Sequence, residues 1–243
     1  MKDKISFVIL TFNEEKNIEN ALKSLISQSL KNIYVYDGGS SDNTERIVRE
    51  LGIDFFSYEN TSIERRRYEA IKNSDSEYIC FLDADQSLSA NTNFESIFSI
   101  FEKNKKLAGV QFTLLLRSNT NSYWANGFKL RYESINNTNK SNKRVIGTPC
   151  IFKRLMIKDI AYQSNISGPS DDTMACLRIR KQGYKLMTID NEAYENVRSN
   201  FKETINKALW YGRGDFEYVQ KLKDDCDIRN HIFHVFIRNL ILI

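Results

Sequence analysis

Hydrophobic residues in the first half of the chain follow two alternating patterns. Short unbroken apolar runs, which read as buried strands, give way to segments where apolar residues recur at helical spacing. Ile5 to Leu10 is the first run, and Thr11-Phe12-Asn13-Glu14-Glu15 breaks it before Ile18, Ala21, Leu22, Leu25 and Ile26 mark a helix. Ile33-Tyr34-Val35-Tyr36 predicts a second strand ending at Asp37. The tight turn Gly38-Gly39-Ser40-Ser41 follows, then Asp42 as N-cap with Glu45 completing a capping box, and a helix to about Leu51. Ile53 to Tyr58 predicts a third strand, and Ile63 to Asn73 a third helix crowded with Arg65, Arg66 and Arg67. Tyr78 to Leu82 is the next apolar run. It ends abruptly in Asp83-Ala84-Asp85, and Gln86-Ser87-Leu88-Ser89 reads as polar turn material.

Past that point a helix is expected over Phe94 to Lys103 and a strand over Ala108 to Leu116. Arg117 to Arg144 is rich in Asn and Ser and carries Tyr123, Trp124, Phe128 and Tyr132, the pattern of a substrate loop or a plain surface excursion. Gly147-Thr148-Pro149-Cys150-Ile151-Phe152 reads as a turn into a strand, with a short helix near Met156 to Ile160. Gly168-Pro169-Ser170 is a breaker, after which Asp171 and Asp172 open a helix that ends at Gly183. Carboxylates at a helix N-terminus are also ordinary capping groups, so a structural role competes with a chemical one there. Tyr184 to Ile189 is another strand.

Strands alternating with helices at this spacing predict βαβ units and a mainly parallel, Rossmann-like α/β sheet flanked by helices. That domain is assigned residues 1–200, and residues 201–243 a helical C-terminal extension interrupted at Trp210-Tyr211-Gly212-Arg213-Gly214. The last apolar run, from His231 to Ile243, is too short and too interrupted to span a bilayer. It reads as a packing helix or a membrane-surface anchor, and its apolar face could also pair subunits as a homo-oligomer. Because the run has no cap, the natural chain is expected to continue.

Composition narrows the classes. At 243 residues, with 41% hydrophobic and 27% charged side chains, the chain can bury a full core and is not disordered. Thirty-five Lys and Arg against 31 Asp and Glu leave only +4, which suits a phosphate-bearing ligand but falls short of a nucleic-acid signature. Cys80, Cys150, Cys176 and Cys226 form no Cys-x-x-Cys pair, so zinc and redox motifs are unsupported. Without an apparent signal peptide the protein is expected to be cytoplasmic, or peripheral at the inner face of the cell membrane.

The candidate chemistry lies at strand ends, where open α/β sheets bind ligands. Alternation points Asp83 and Asp85 the same way, so both can face one divalent cation, Mn²⁺ or Mg²⁺, and the phosphate oxygens it holds. Asp37 can accept hydrogen bonds from a base or ribose, beside a Gly38-Gly39 turn that lets a ligand approach the backbone. Arg67 can donate to phosphate or to the aspartates. Arg65 or Arg66 reads as a solvated helix charge. Asp172 can serve as a general base. Together these match what a sugar nucleotide and an incoming hydroxyl require.

The motifs Ile9-Leu10-Thr11-Phe12-Asn13-Glu14-Glu15, Tyr36-Asp37-Gly38-Gly39-Ser40-Ser41-Asp42-Asn43-Thr44, Phe81-Leu82-Asp83-Ala84-Asp85 and Asp171-Asp172 occur in order. Over about residues 4 to 215 they resemble the inverting family 2 glycosyltransferases of GT-A fold. The resemblance implies that Thr11, Asn13, Glu14, Asp37, Arg67 and Asp83 line the nucleotide site, with Asp85 the principal metal ligand and Asp83 its neighbour. It makes Asp172 the catalytic base, with Asp171 where the family more often has Glu. The implied donor is a nucleoside diphosphate sugar, foremost a UDP-sugar, and the acceptor a glycan or lipid-linked hydroxyl near Trp124, Tyr123 and Thr148.

Two family features are missing. No histidine follows the strand after the base helix, so either the cation has fewer protein ligands or Asn196 or Arg198 meets the diphosphate in its place. No Gln-x-x-Arg-Trp motif of processive polymerases occurs, which favours transfer of a single sugar. A nucleotidyltransferase or an NAD-linked enzyme would need a Gly-rich loop after the first strand, where Thr11 to Glu15 has no glycine. A non-catalytic nucleotide-sugar or glycan-binding module of the same fold is the remaining alternative.

Overall fold

The computed structural model describes residues 2–117, 146–162 and 171–196, with isolated positions at 126, 129, 130, 209, 212 and 216. Tyr123, Trp124, Arg198 and the C-terminal extension apart from those isolated positions lie outside the described residues. The elements are β1 (Ile5–Thr11), α1 (Ile18–Ile26), β2 (Ile33–Asp37), α2 (Thr44–Glu50), β3 (Asp54–Ser57), α3 (Ile63–Asn73), β4 (Tyr78–Asp83) and β5 (Gln86–Leu88). They continue with α4 (Phe94–Lys103), β6 (Leu107–Arg117), β7 (Cys150–Lys153), α5 (Arg154–Ile157), α6 (Asp171–Lys181) and β8 (Lys185–Asn196).

All eight strands form one sheet in the order β3-β2-β1-β4-β7-β6-β8-β5. The first four run parallel, as the βαβ spacing predicts. The second half departs from that expectation: β7 is antiparallel to both β4 and β6, and β5 is antiparallel to β8. The sheet is therefore mixed. Gln86–Leu88 is not a polar turn but a strand, with Gln86 and Leu88 buried, because Gln86 finds polar partners inside the fold.

Alternation along the strands divides the core into two layers. Ile5, Phe7 and Ile9 of β1 and Cys80 and Leu82 of β4 pack under α1 and α4, while Val8, Leu10, Ile79 and Phe81 face α3 and α6. Both faces of the central strands are thus covered, which is why β1 is buried along its whole length. α3 begins where the Ser62 side chain accepts from the Arg65 amide, and α4 where Asn93 accepts from Ser96. α2 is entered differently from the expected capping box. Asn43 is the boundary residue, and Asp42 accepts instead from the Thr44 amide and hydroxyl and from the Glu15 amide. Among the described residues no helix is long and apolar enough to cross a membrane.

Candidate active site

Parallel pairing brings the carboxyl ends of β1, β2 and β4 together, with Thr11 opposite Asp37 and Leu10 opposite Asp83. The loops after β1 and β2 are joined by hydrogen bonds. The Asn13 amide donates to the Ser40 hydroxyl at 2.7 Å, the Asn13 carboxamide oxygen accepts from the Ser41 amide at 2.8 Å, and the Glu14 amide donates to the Thr44 hydroxyl at 2.9 Å. Asn13 adopts a positive φ to do this. Glu14 also accepts from Asn17 at 2.8 Å.

Asp37 differs from expectation. Its carboxylate is buried and accepts from the Gly39 and Ser40 amides, each at 2.7 Å, and from the Ser40 hydroxyl. As folded it shapes the loop rather than presenting bare oxygens to a ligand. Arg66 is the other correction. Instead of a solvated helix charge it is buried, donating to the Thr11 carbonyl at 2.6 Å and lying so close under Gly38 that a Cβ there would sit 2.8 Å from its Nη1. Arg65, by contrast, is exposed and pairs with Glu69 one turn on. The buried Thr11 hydroxyl has no hydrogen-bond partner among the described residues.

Asp83 and Asp85 are both half-buried, with Ala84 turned into the core between them. Asp83 Oδ2 accepts from the Thr148 hydroxyl at 2.7 Å, and the Asp83 amide donates to Gln86 Oε1 at 3.1 Å. The Gln86 amide group donates in turn to Glu195 at 3.0 Å and to the Thr148 carbonyl at 3.3 Å. Thr148, expected to face the acceptor, is thus buried against the aspartate turn. The Asp85 carbonyl accepts from the Asn196 amide at 3.2 Å, which sets Asn196 beside the turn, and Arg117 pairs in register with Asn196.

No cluster of three metal-binding side chains occurs among the described residues. Asp83 and Asp85 nevertheless offer the hard oxygen donors that would suit a Mg²⁺ or Mn²⁺.

One guanidinium connects this turn to the start of α6. Arg67, fully buried on the side of α3 that faces the sheet, donates from Nη1 to Asp171 Oδ2 and, at 2.6 Å, to Asp172 Oδ1, while Nη2 lies 3.8 Å from Asp83 Oδ1. Of the two partners expected for it, phosphate or the aspartates, the structure shows the aspartates. Asp171 is wholly enclosed, whereas the Asp172 side chain keeps 22% of its surface exposed. Burial raises both carboxyls, that of Asp172 to about 7, with Arg67 pulling the other way. The simple helix-cap role for this pair is therefore incomplete.

Sequence reading missed Tyr162, Gln86 and Glu195. The Tyr162 hydroxyl donates to Asp172 Oδ1 at 3.2 Å, and its ring lies 5.4 Å from the Arg67 guanidinium carbon. Nothing in the irregular stretch around Ala161 marks that tyrosine. Gln86 and Glu195 carry no motif and meet only through the β5–β8 pairing.

Residues 6–161 match the family model described as glycosyl transferase family 2. Among curated relatives, the poly-beta-1,6-N-acetyl-D-glucosamine synthase of Staphylococcus epidermidis is 29% identical over 65% of this chain and 41% of its own length. The Methanococcus voltae dolichyl N-acetyl-alpha-D-glucosaminyl phosphate 3-beta-D-2,3-diacetamido-2,3-dideoxy-beta-D-glucuronosyltransferase is 29% identical over 89% of this chain and 74% of its own. The chain spans about two fifths of the synthase it matches. Among solved structures, residues 1–349 of S. aureus TarS superpose with a TM-score of 0.58 at 15% identity, covering 79% of this chain and 60% of that one. The same fragment in complex with UDP-GlcNAc gives 0.55 over 81% and 59%. The likeness is one of fold, the GT-A arrangement of a curled sheet and flanking helices.

Proposed function

This chain belongs to glycosyl transferase family 2, and we propose that it transfers a single sugar, with inversion, from a UDP-sugar to a hydroxyl of a glycan or lipid-linked acceptor. The observation that carries this reading is Arg67, whose one guanidinium reaches Asp172, the candidate base, and Asp83, beside the candidate metal ligand. The carboxylates assigned to the donor and acceptor sides thus lie within one side chain's span.

The rim built from Thr11, Asn13, Glu14 and the Asp37 loop is the place for base and ribose. Asp83 and Asp85 would hold Mn²⁺ or Mg²⁺, which supplies charge neutralisation for the departing diphosphate. Asp172 takes the proton of the acceptor hydroxyl as its oxygen bonds to the anomeric carbon and the bond from that carbon to the diphosphate breaks. A general base of this kind contributes roughly 10²–10⁴ in rate. With no carboxylate bonding to carbon, one displacement gives inversion. Arg117, exposed at the end of β6, and Asn196 stand where diphosphate oxygens could be met. The lipid-linked option draws on the dolichyl phosphate in the name of one relative.

Asp85→Ala and Asp172→Asn test the division of labour. With UDP-GlcNAc and Mn²⁺, Asp85→Ala is expected to abolish cation-dependent binding in calorimetry, and Asp172→Asn to keep binding and lose turnover. If Asp172→Asn retains turnover, the base role passes to another group; if wild type binds the nucleotide without ever turning it over against any acceptor, the reading gives way to that of a binding module.

A further inference from the structure

We propose that Tyr162 is a positioning residue for Asp172, its hydroxyl holding Oδ1 together with Arg67 so that Oδ2 is the atom that takes the acceptor's proton. The inference rests on Asp172 being the base and goes on to say which oxygen acts and what aims it.

The geometry is asymmetric. Among the described residues, the two donors to the carboxylate of Asp172, Arg67 Nη1 at 2.6 Å and the Tyr162 hydroxyl at 3.2 Å, converge on Oδ1. Among the described residues Oδ2 accepts from no group, and the side chain retains its partial exposure. Tyr162 is itself fixed. Its ring packs edge-on against Phe81 with centroids 5.8 Å apart, lies beneath the Arg67 guanidinium, and is almost fully buried. A buried phenol with an acceptor in reach stays protonated, and burial together with the Asp172 charge pushes Tyr162 well above its ordinary range. It is a donor at every pH where the enzyme would work. A carboxylate able to rotate would present either oxygen; one pinned at Oδ1 presents Oδ2 in a single direction.

Other titratable groups face Asp172: the charged Arg67 from α3, Asp83 from β4 and Asp171 from its own helix, and the thiols of Cys150 and Cys176, which burial keeps protonated. Tyr162→Phe leaves all of them in place and removes one hydroxyl while keeping the ring. The experiment follows UDP release from UDP-GlcNAc with Mn²⁺ against pH for wild type, Tyr162→Phe, Asp172→Asn and Tyr78→Phe. Tyr78 is a buried tyrosine on the opposite face of the sheet.

Tyr162→Phe is expected to keep the donor KM and lower kcat about tenfold, the worth of one hydrogen bond to a charged group. Its acidic limb should move to higher pH, since a carboxylate deprived of a donor ionises less readily. Tyr78→Phe should leave the limb where it is. An unshifted limb in Tyr162→Phe with Asp172→Asn inactive overturns the role of Tyr162 alone. Turnover by Asp172→Asn removes the base assignment, and this inference with it.

Discussion

Replacing Arg67 with lysine keeps the charge and discards the fork. A single ammonium cannot reach Asp171, Asp172 and Asp83 together, as the guanidinium does. Arg67→Lys is therefore expected to fold but to lose at least about tenfold in kcat, with a larger loss for Arg67→Ala, which leaves buried carboxylates without a counter-charge. Steady-state kinetics and a melting curve on the same samples would separate the two effects. Asp172 makes a prediction of opposite sign for activity and stability. Its folded-state carboxyl is raised to about 7, so the stability it contributes is complete below the ordinary carboxylate range and is lost as pH rises through that value. Turnover by the proposed mechanism, which needs this carboxylate ionised, is expected to rise over the same interval. Asp172→Asn should gain a few degrees of Tm relative to wild type at pH 8 compared with pH 5, roughly what 1 kcal/mol or more does in a chain of this size. An identical difference at both pH values would mean that Asp172 is not held in its neutral form by burial.

Elements differ in how far local sequence determines them. Where helical periodicity is strong, the reading holds to the residue: Ile63–Asn73 and Phe94–Lys103 are the helices expected, and the structure shows them opened by Ser62 and Asn93. Where burial depends on partners distant in sequence, it fails. Gln86–Leu88 looks like a turn because its glutamine is polar, yet that glutamine is satisfied by Thr148 and Glu195, far along the chain. Arg66 and Arg67 are adjacent and chemically identical, and only the packing of α3 on the strand ends shows that both are buried at different posts. Of the site, the carboxylates were legible as motif residues; the donors that hold them were not legible as donors, Tyr162 carrying no signal and Thr148 being placed at the acceptor, because a hydrogen bond across the fold leaves no periodic trace. The β6–β7 pairing offers a direct test of packing. Gly109 faces the Phe152 ring so closely that a Cβ would stand 2.5 Å from it, so Gly109→Ala should destabilise by about 1–3 kcal/mol through overpacking. Denaturant unfolding with an unchanged m-value would support that account, and a neutral substitution would refute it.

At the scale of the whole molecule, three buried thiols report on integrity. Cys80, Cys150 and Cys176 are free and enclosed, and burial raises each of them, so the native chain should leave all three unreacted with a thiol reagent at neutral pH. In a Cys226→Ser background their labelling is expected to follow the global unfolding transition. Labelling at low denaturant would instead expose a partly opened state. Bound nucleotide should delay it, since a ligand at about 100 times its Kd adds about 2.7 kcal/mol to the native state.

The sheet order carries a last consequence. β4 is the fourth strand across and β5 the eighth, yet only Ala84 and Asp85 separate them in the chain. The strands β4, β7, β6, β8 and β5 therefore form a belt that curls back on itself, and the aspartate turn is its buckle, fastened again where Asn196 binds the Asp85 carbonyl. A fastened belt has fewer independent movements than an open ribbon. Slack let into it by one residue between Ala84 and Asp85 would loosen the far strands together with the carboxylates, whereas the same residue added after Gly52, beyond the circuit, would be absorbed locally.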